Sequence, residues 1–284
     1  MPVVSMPEIL KSAFEQRYGV PAFNIVDDVT MRGVLAGAVE SNSPVIVQVS
    51  VKTVKYWSAG MIQLLFTEMA RELPVPATLH LDHCPDRGVI AECLQAGWNS
   101  VLFDGSLLSY EENLQQTKEV VQLARKYGAA VEGELEAVKR VEDGMGNEYG
   151  GPVVELDRVL QFIRETGIDC FAAGIGTAHG AYKEKPQIDY ERVSEIVAAE
   201  PIPLVLHGGT GLSEDVFRDL IARGESKINI STQLKITLAD SYRLYLDEHP
   251  DEYNPLRLLG AVEKDIRRMA SNFIKIFGSE GKAK

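Results

Sequence analysis

His83 ends a short β-rich run, His179 follows another and His207 lies near the end of a third, and they are three of only five histidines in the chain. Three imidazoles meeting at one place match an open catalytic zinc site, where three protein ligands leave a fourth position for water or substrate. Imidazole ligation favours zinc, with cobalt or iron also compatible. A strand-end histidine can equally serve as a hydrogen-bonding residue. His80, inside its run rather than at the end, reads that way, and His249 falls in a helix-breaking His-Pro step. Carboxylates gather in the same stretches: Asp82 beside His83, Asp104 at the end of a run, and Glu132, Glu134 and Glu136 alternating along another. Period two puts the three glutamates on one side of a strand. They cannot all enter a packed core ionised and alone, so at least one should approach a metal or another cation. A carboxylate beside a metal-bound oxygen is a natural general acid/base. Its other role is to orient the histidines.

Two further stretches suit an anion. Gly208-Gly209-Thr210-Gly211 follows one run, and Asn229-Ile230-Ser231-Thr232 ends the next where a helix begins. Glycines let backbone N–H groups close on phosphate oxygens, and a helix N-terminus adds a favourable dipole. Alternatively, the glycines simply make a tight turn.

Eight β-rich runs must position these groups: 22–26, 44–50, 77–83, 100–106, 130–136, 170–176, 203–209 and 227–232. Their starts lie 22 to 40 residues apart, which fits strand, loop, helix, loop and is too long for hairpins. Val45-Ile46-Val47 and Leu204-Val205-Leu206 are continuous apolar runs, as expected of strands buried on both faces of a parallel sheet. Helix punctuation separates them. Ser109 with Glu112 forms a capping box, with Gly128 behind Lys126; Asp86 opens a stretch that Gly97 closes; Ser213 opens one that Gly224 closes. Ser5 with Glu8 opens a leading helix that Gly19 closes, placed as a plug under the barrel. Two trailing helices are expected over 233–247 and 260–276. Eight βα units favour an α/β fold closed as a (β/α)8 TIM barrel, one domain over 1–284, with an N-terminal helix and extra C-terminal helices. An open doubly wound sheet is the competitor, but the G-x-G-x-x-G it would carry after the first strand is absent. The longest segment without structure, 139–152, holds four glycines and has the length of a functional lid.

In a barrel the site lies at the C-terminal ends of the strands, and phosphate sites recur in the loops after strands seven and eight. Three histidines, the carboxylates and both anion stretches meet that condition without adjustment. Composition bounds the partners. With 41 acidic and 29 basic residues the net charge is −12, which argues against nucleic acid and anionic membranes. No apolar run reaches the length of a spanning helix, and the first ten residues lack the basic start of a secretory signal. Cys84, Cys93 and Cys170, an odd count without CxxC, point to a reducing, cytoplasmic setting.

His80-Leu81-Asp82-His83, Glu132-Gly133-Glu134-Leu135, Gly176-Thr177-Ala178-His179-Gly180, Leu206-His207-Gly208-Gly209-Thr210-Gly211 and Lys227-Ile228-Asn229-Ile230-Ser231-Thr232 resemble the class II, zinc-dependent ketose-bisphosphate aldolases. Within them the chain is most similar to the fructose/tagatose-bisphosphate aldolase group, from about Met6 to Phe277-Gly278-Ser279. The resemblance implies a lyase that cleaves fructose- or tagatose-bisphosphate reversibly to dihydroxyacetone phosphate and glyceraldehyde 3-phosphate through a zinc-stabilised enediolate, so that no Schiff-base lysine is needed. It implies that His83, His179 and His207 hold Zn2+, and that Asp104 and Glu134 form an alternative or second metal position. Asp82 would move the proton of the C4 hydroxyl, and Glu142 the proton at C3. Gly180, Gly208, Gly209, Thr210, Asn229, Ile230, Ser231 and Thr232 would bind dihydroxyacetone phosphate, with Asn24, Gln48 and Ser50 on the substrate side. A monovalent cation (Na+ or K+) near the phosphate and a homodimer or homotetramer are implied as well.

Asp82 and His83 are neighbours, and neighbours on a strand face opposite ways, so the end of the third strand must twist or bulge for both to reach the site. Two departures from the family pattern concern the aldehyde half of the substrate. Lys139 and Arg140 replace a usual glycine pair, either as solvated charge or as partners for a second anionic group. The arginine that some members use for the distal phosphate has Arg257 only near its register. A sibling aldolase with an acidic or unphosphorylated aldehyde half is the alternative, followed by a non-catalytic sugar-phosphate-binding relative. The intact Asp82 and Glu142 disfavour the latter, because binding alone needs neither base.

Overall fold

The computed structural model describes residues 2–136, 153–178 and 186–283 in full, and the backbone of 139–140 and 179. The strands are β1 (Val20–Asn24), β2 (Val45–Ser50), β3 (Ala77–Cys84), β4 (Ser100–Asp104), β5 (Ala130–Glu134), β6 (Lys139–Arg140), β7 (Cys170–Ala172), β8 (Ala178–His179), β9 (Leu204–Leu206) and β10 (Glu225–Ile230). The helices are α1 (Met6–Gln16), α2 (Asp28–Glu40), α3 (Val51–Trp57), α4 (Ala59–Ala70), α5 (Arg87–Gln95), α6 (Tyr110–Lys126), α7 (Leu156–Thr166), α8 (Tyr190–Ala199), α9 (Glu214–Arg223), α10 (Thr232–Glu248) and α11 (Pro255–Ile276). Eight strands close a parallel barrel in the order β1-β10-β9-β7-β5-β4-β3-β2, while β6 and β8 form a short parallel ladder beyond β5 and β7. The expected TIM barrel is therefore present. No helix among the described residues is long and apolar enough to cross a membrane.

The barrel strands are shorter at their C-terminal ends than their β-rich runs: β4, β5, β7 and β9 stop at 104, 134, 172 and 206. Side chains take over there. The Ser106 N–H donates to Asp104 Oδ1, and the Gly174 N–H to Glu136 Oε2. The eighth barrel strand begins earlier than expected, at Glu225, which pairs with Leu204 of β9, and the first begins at Val20, which pairs with Lys227.

The leading helix plugs the N-terminal end of the barrel. Met6, Ile9, Leu10 and Ala13 form one buried cluster with the inward-facing Val20, Ala22, Ile46, Ala130, Ala172 and Val205. Ser5 caps it by accepting from the Glu8 N–H. Its end differs from expectation. Arg17, in the left-handed conformation (φ 55°), closes the helix rather than Gly19. Gly19 is required by a close approach instead: a Cβ there would lie 2.7 Å from Ile228 Cγ1. The boxes and caps at Ser109 and Asp86 form as read, with Gly97 and Gly128 at positive φ. The last helix starts five residues before its expected start, with Pro255 in the first turn and Asn254 as its cap. It lies against Gly33 and Gly37 of α2, where a Cβ would come within 3 Å of Ile266 and Ala270.

One barrel-floor residue carries a stability prediction. Glu225 is 1% exposed, and neither carboxylate oxygen has a hydrogen-bond partner among the described residues. Burial, reinforced by the charge of Glu132, pushes its pKa up to about 8. The folded chain then holds a proton that the unfolded chain releases near pH 4.5. This contribution to stability is complete below that value and is lost as pH rises to about 8. Glu225→Gln stays neutral throughout. Between pH 5.5 and 8, urea unfolding should show the wild type losing on the order of 2 kcal/mol more stability than Glu225→Gln. Parallel pH profiles would show that Glu225 is solvated or paired in the folded protein.

Candidate metal and acid/base site

The C-terminal ends of β3, β4, β5 and β9 bring His83, Asp104, Glu134 and His207 together. His83 Nδ1 lies 3.1 Å from Asp104 Oδ2 and 3.1 Å from Glu134 Oε2. Glu134 Oε1 lies 3.7 Å from His207 Nδ1, and the two imidazole rings meet edge to face with centroids 4.5 Å apart. One ligand atom from each of His83, Glu134 and His207 falls within 4.8 Å of the others. Two imidazoles and a carboxylate are a donor set for zinc or a related divalent metal, so these residues could hold one. The carboxylates raise the pKa of both imidazoles. At His83, burial opposes the rise, but Asp82, Glu134 and Asp104 outweigh it; at His207, burial and His83 oppose it, but Glu132 and Glu134 prevail.

The end of β3 is distorted as its chemistry demands. The ladder to β4 shifts register between Leu81 and Cys84, and His83 has φ 46°. A histidine in the left-handed region costs roughly 1–3 kcal/mol. The kink lets Asp82 and His83 face the same interior. Asp82 is held from the opposite side to Asp104: Asn24 Nδ2 donates to Asp82 Oδ2 at 2.8 Å, and Gln48 Nε2 donates to Asn24 Oδ1 at 2.5 Å. Asp82 Oδ1 has no hydrogen-bond partner among the described residues. Burial raises the pKa of this carboxyl, but His83, Lys227, His207 and His80 together hold it down at about 2. It is an ionised base with one oxygen available.

The three glutamates of the β5 stretch are all buried, and each finds an imidazole or a cation. Glu134 enters the imidazole cluster. Glu132 Oε1 lies 2.9 Å from His207 Nε2, and its Oε2 lies 2.9 Å from Lys227 Nζ. Glu136 pairs with Arg192 and accepts from the Gly174 and Val154 N–H groups. Lys227 and Arg192 are the residues that sequence reasoning missed. Lys227 stands in Lys227-Ile228-Asn229, where strand periodicity puts the lysine on the same face as Asn229 and is the usable signal; Arg192 sits in α8 with no signal. His80 is packed as expected, with Nδ1 2.8 Å from Ser100 Oγ and burial lowering its pKa to about 3.

The anion stretches also sit at strand ends. Gly208 has φ 71°, and a Cβ there would lie 2.4 Å from the Ala178 carbonyl oxygen, so only glycine fits. Gly209 lies against the Phe217 ring, and Thr210 is buried beside it in sequence. Asn229 points inward and accepts from Lys227; Ser231 and Thr232 open α10. Ile230 and Ser50, both expected on the substrate side, also have structural roles. Ile230 is packed in the outer hydrophobic core, leaving only its backbone for a ligand. Ser50 caps α3, its Oγ accepting from the Thr53 N–H. Arg257 pairs with Glu252 of its own helix corner. The His179 backbone ends β8, while its side chain, Gly180 and Glu142 lie outside the described residues. The cleft of about 590 Å³ lined by Pro2, Val4, Ile9, Ser12 and Tyr18 is at the other end of the barrel, beside α1.

The family model for class-II fructose-bisphosphate aldolase matches residues 4–282. The sulfofructosephosphate aldolase of Alkalicoccus urumqiensis is 33% identical over all of this chain and 99% of that protein. The fructose-bisphosphate aldolase of Geobacillus stearothermophilus is 35% identical, again over all of this chain and 99% of the relative. The crystal structure of the YdjI aldolase from Escherichia coli K12 superposes with a TM-score of 0.85 at 29% identity, covering 99% of this chain and 100% of that one.

Proposed function

The chain belongs to the class-II fructose-bisphosphate aldolase family and is a lyase, and from that premise we propose that it cleaves fructose- or tagatose-bisphosphate reversibly to dihydroxyacetone phosphate and glyceraldehyde 3-phosphate. The observation that carries the reading is the placement of Asp82. It is an ionised carboxylate held by Asn24, with Oδ1 available, beside the His83–Glu134–His207 cluster. His83, His207 and His179 are the zinc ligands in this reading, with Asp104 and Glu134 as the alternative position. Zinc held there, as is general in this family, would supply Lewis acidity toward the triose half. Asp82 accepts the C4 hydroxyl proton as the C3–C4 bond breaks, and returns it to the aldehyde oxygen in the reverse direction. Glu142 delivers the proton to C3. Gly180, Gly208 to Thr210 and Asn229 to Thr232 take the triose phosphate, with a monovalent cation beside it, and the protein works as a homo-oligomer.

A second reading keeps the triose half and changes the aldehyde half to one with another anion. It is favoured by the β6–β8 ladder, which pairs Lys139 with Ala178 and Arg140 with His179. A panel of ketose mono- and bisphosphates, with carboxylated and sulfonated analogues, separates the two. The first reading expects a bisphosphate to have the highest kcat/KM, by tenfold or more, in the wild type. An acidic analogue ahead of both bisphosphates, with the preference lost in Lys139→Gly/Arg140→Gly, would replace it by the second.

A further inference from the structure

Lys227 is an inward-facing residue of β10, and its side chain has no exposure to solvent. Its ammonium touches two groups at once: Glu132 Oε2 at 2.9 Å and Asn229 Oδ1 at 2.7 Å. Glu132 in turn reaches His207 with its other oxygen. The chain His207–Glu132–Lys227–Asn229 therefore runs from a candidate metal ligand to a candidate substrate amide.

An asparagine amide is nearly symmetric in shape but not in chemistry, with two N–H donors at one end and an acceptor at the other. Unconstrained, it can present either end by rotating about χ2. An ammonium has donors and no acceptor, so only the oxygen of Asn229 can face Lys227. The NH2 end must then point away from Lys227. Glu132 fixes the ammonium in place and supplies the counter-charge that a buried cation needs.

We propose that Lys227 is a positioning residue for the aldolase reaction: by holding Asn229 Oδ1 it fixes the amide with its N–H donors toward the bound triose phosphate, so that Asn229 recognises an anionic oxygen. The inference rests on the substrate role given to Asn229 above. It also gives this buried lysine a role that does not involve a Schiff base, as a bridge between Glu132 and Asn229.

A double-mutant cycle tests it, read by calorimetric titration of dihydroxyacetone phosphate and by zinc content. The charge-neutral pair Glu132→Gln/Lys227→Met removes the ammonium without leaving a buried charge. Asn229→Ala alone should weaken binding roughly 10- to 100-fold, the range for a hydrogen bond to a charged group. The Glu132→Gln/Lys227→Met protein should weaken it to a similar degree with zinc retained. Adding Asn229→Ala to that protein should cost less than threefold more, because the amide is no longer fixed. Additive losses would show that Lys227 does not act through Asn229, and loss of zinc in Glu132→Gln/Lys227→Met but not in Glu132→Gln, the member of the pair that touches His207, would assign Lys227 to the metal side; either overturns the proposal. Undiminished binding in Asn229→Ala would overturn the substrate role of Asn229 itself, which is a different failure. Asn229→Asp covers the case in which the double variant does not fold. The aspartate keeps its pair with Lys227 but offers no donor, so triose-phosphate binding should fall at least 10-fold; wild-type affinity would overturn the donor orientation.

Discussion

Asp82→Asn should lower kcat for ketose-bisphosphate cleavage by roughly 10²- to 10⁴-fold, the loss expected when a positioned general base is removed, with zinc content unchanged. The split follows from how the carboxylate is held. Asp82 Oδ2 is fixed by Asn24, which Gln48 fixes in turn, whereas His83, Glu134 and His207 are tied to one another. The amide oxygen of the variant can still accept from Asn24, so the fold and the cluster survive while the base does not. Asp82→Ala makes the same test with a known complication: it leaves the buried Asn24 amide without its acceptor, at about 1–3 kcal/mol of stability. Loss of zinc in Asp82→Asn would make the residue a support for the metal site. Cleavage at the wild-type rate would remove it from the proton transfer altogether.

The same corner shows what a sequence can reveal. The motif His80-Leu81-Asp82-His83 demands a distorted strand end because two neighbouring side chains must share one interior, and the positive φ of His83 meets that demand. Strand-end histidines and alternating glutamates were legible for the same reason: strand periodicity is local. Partners across the barrel were not. Glu132 and Lys227 are 95 positions apart and meet only because closure makes β5 and β10, with β7 and β9 between them, face one interior. The neutralisation of Glu136 by Arg192 depends likewise on where α8 docks. Residues near strand ends are harder to assign because a hydroxyl or a side-chain direction can be claimed by local structure. Ser50 serves the start of α3, and Ile230 faces the outer core while Asn229 beside it meets Lys227 in the interior. The closure of α1 by Arg17 makes the same point at the other end of the barrel. Gly19 is a plausible helix stop by sequence, but the glycine is needed for packing against Ile228.

His207→Ala should eliminate zinc and cleavage together, with activity at least about 10³-fold below wild type, since Lewis-acid stabilisation supplies several kcal/mol of the barrier reduction. His207 is the member of the cluster with the most to lose. Its ring lies between Glu132 at Nε2 and Glu134 at Nδ1, and it meets His83 edge to face. Removing it takes away a ligand and also leaves two buried carboxylates short of a partner. Breaking buried pairs in this way costs about 3–5 kcal/mol, so the variant should also melt below the metal-free wild type. That last comparison separates the two effects. Wild type stripped by chelator loses activity but keeps His207 against Glu132, and stoichiometric zinc should restore its cleavage; His207→Ala should not recover with any amount of zinc. Activity that survives exhaustive chelation would sink the metal mechanism. If His207→Ala instead retained zinc, ligation would have to come from His83, Glu134 and residues outside the cluster, and His207 would be left as a packed histidine like His80.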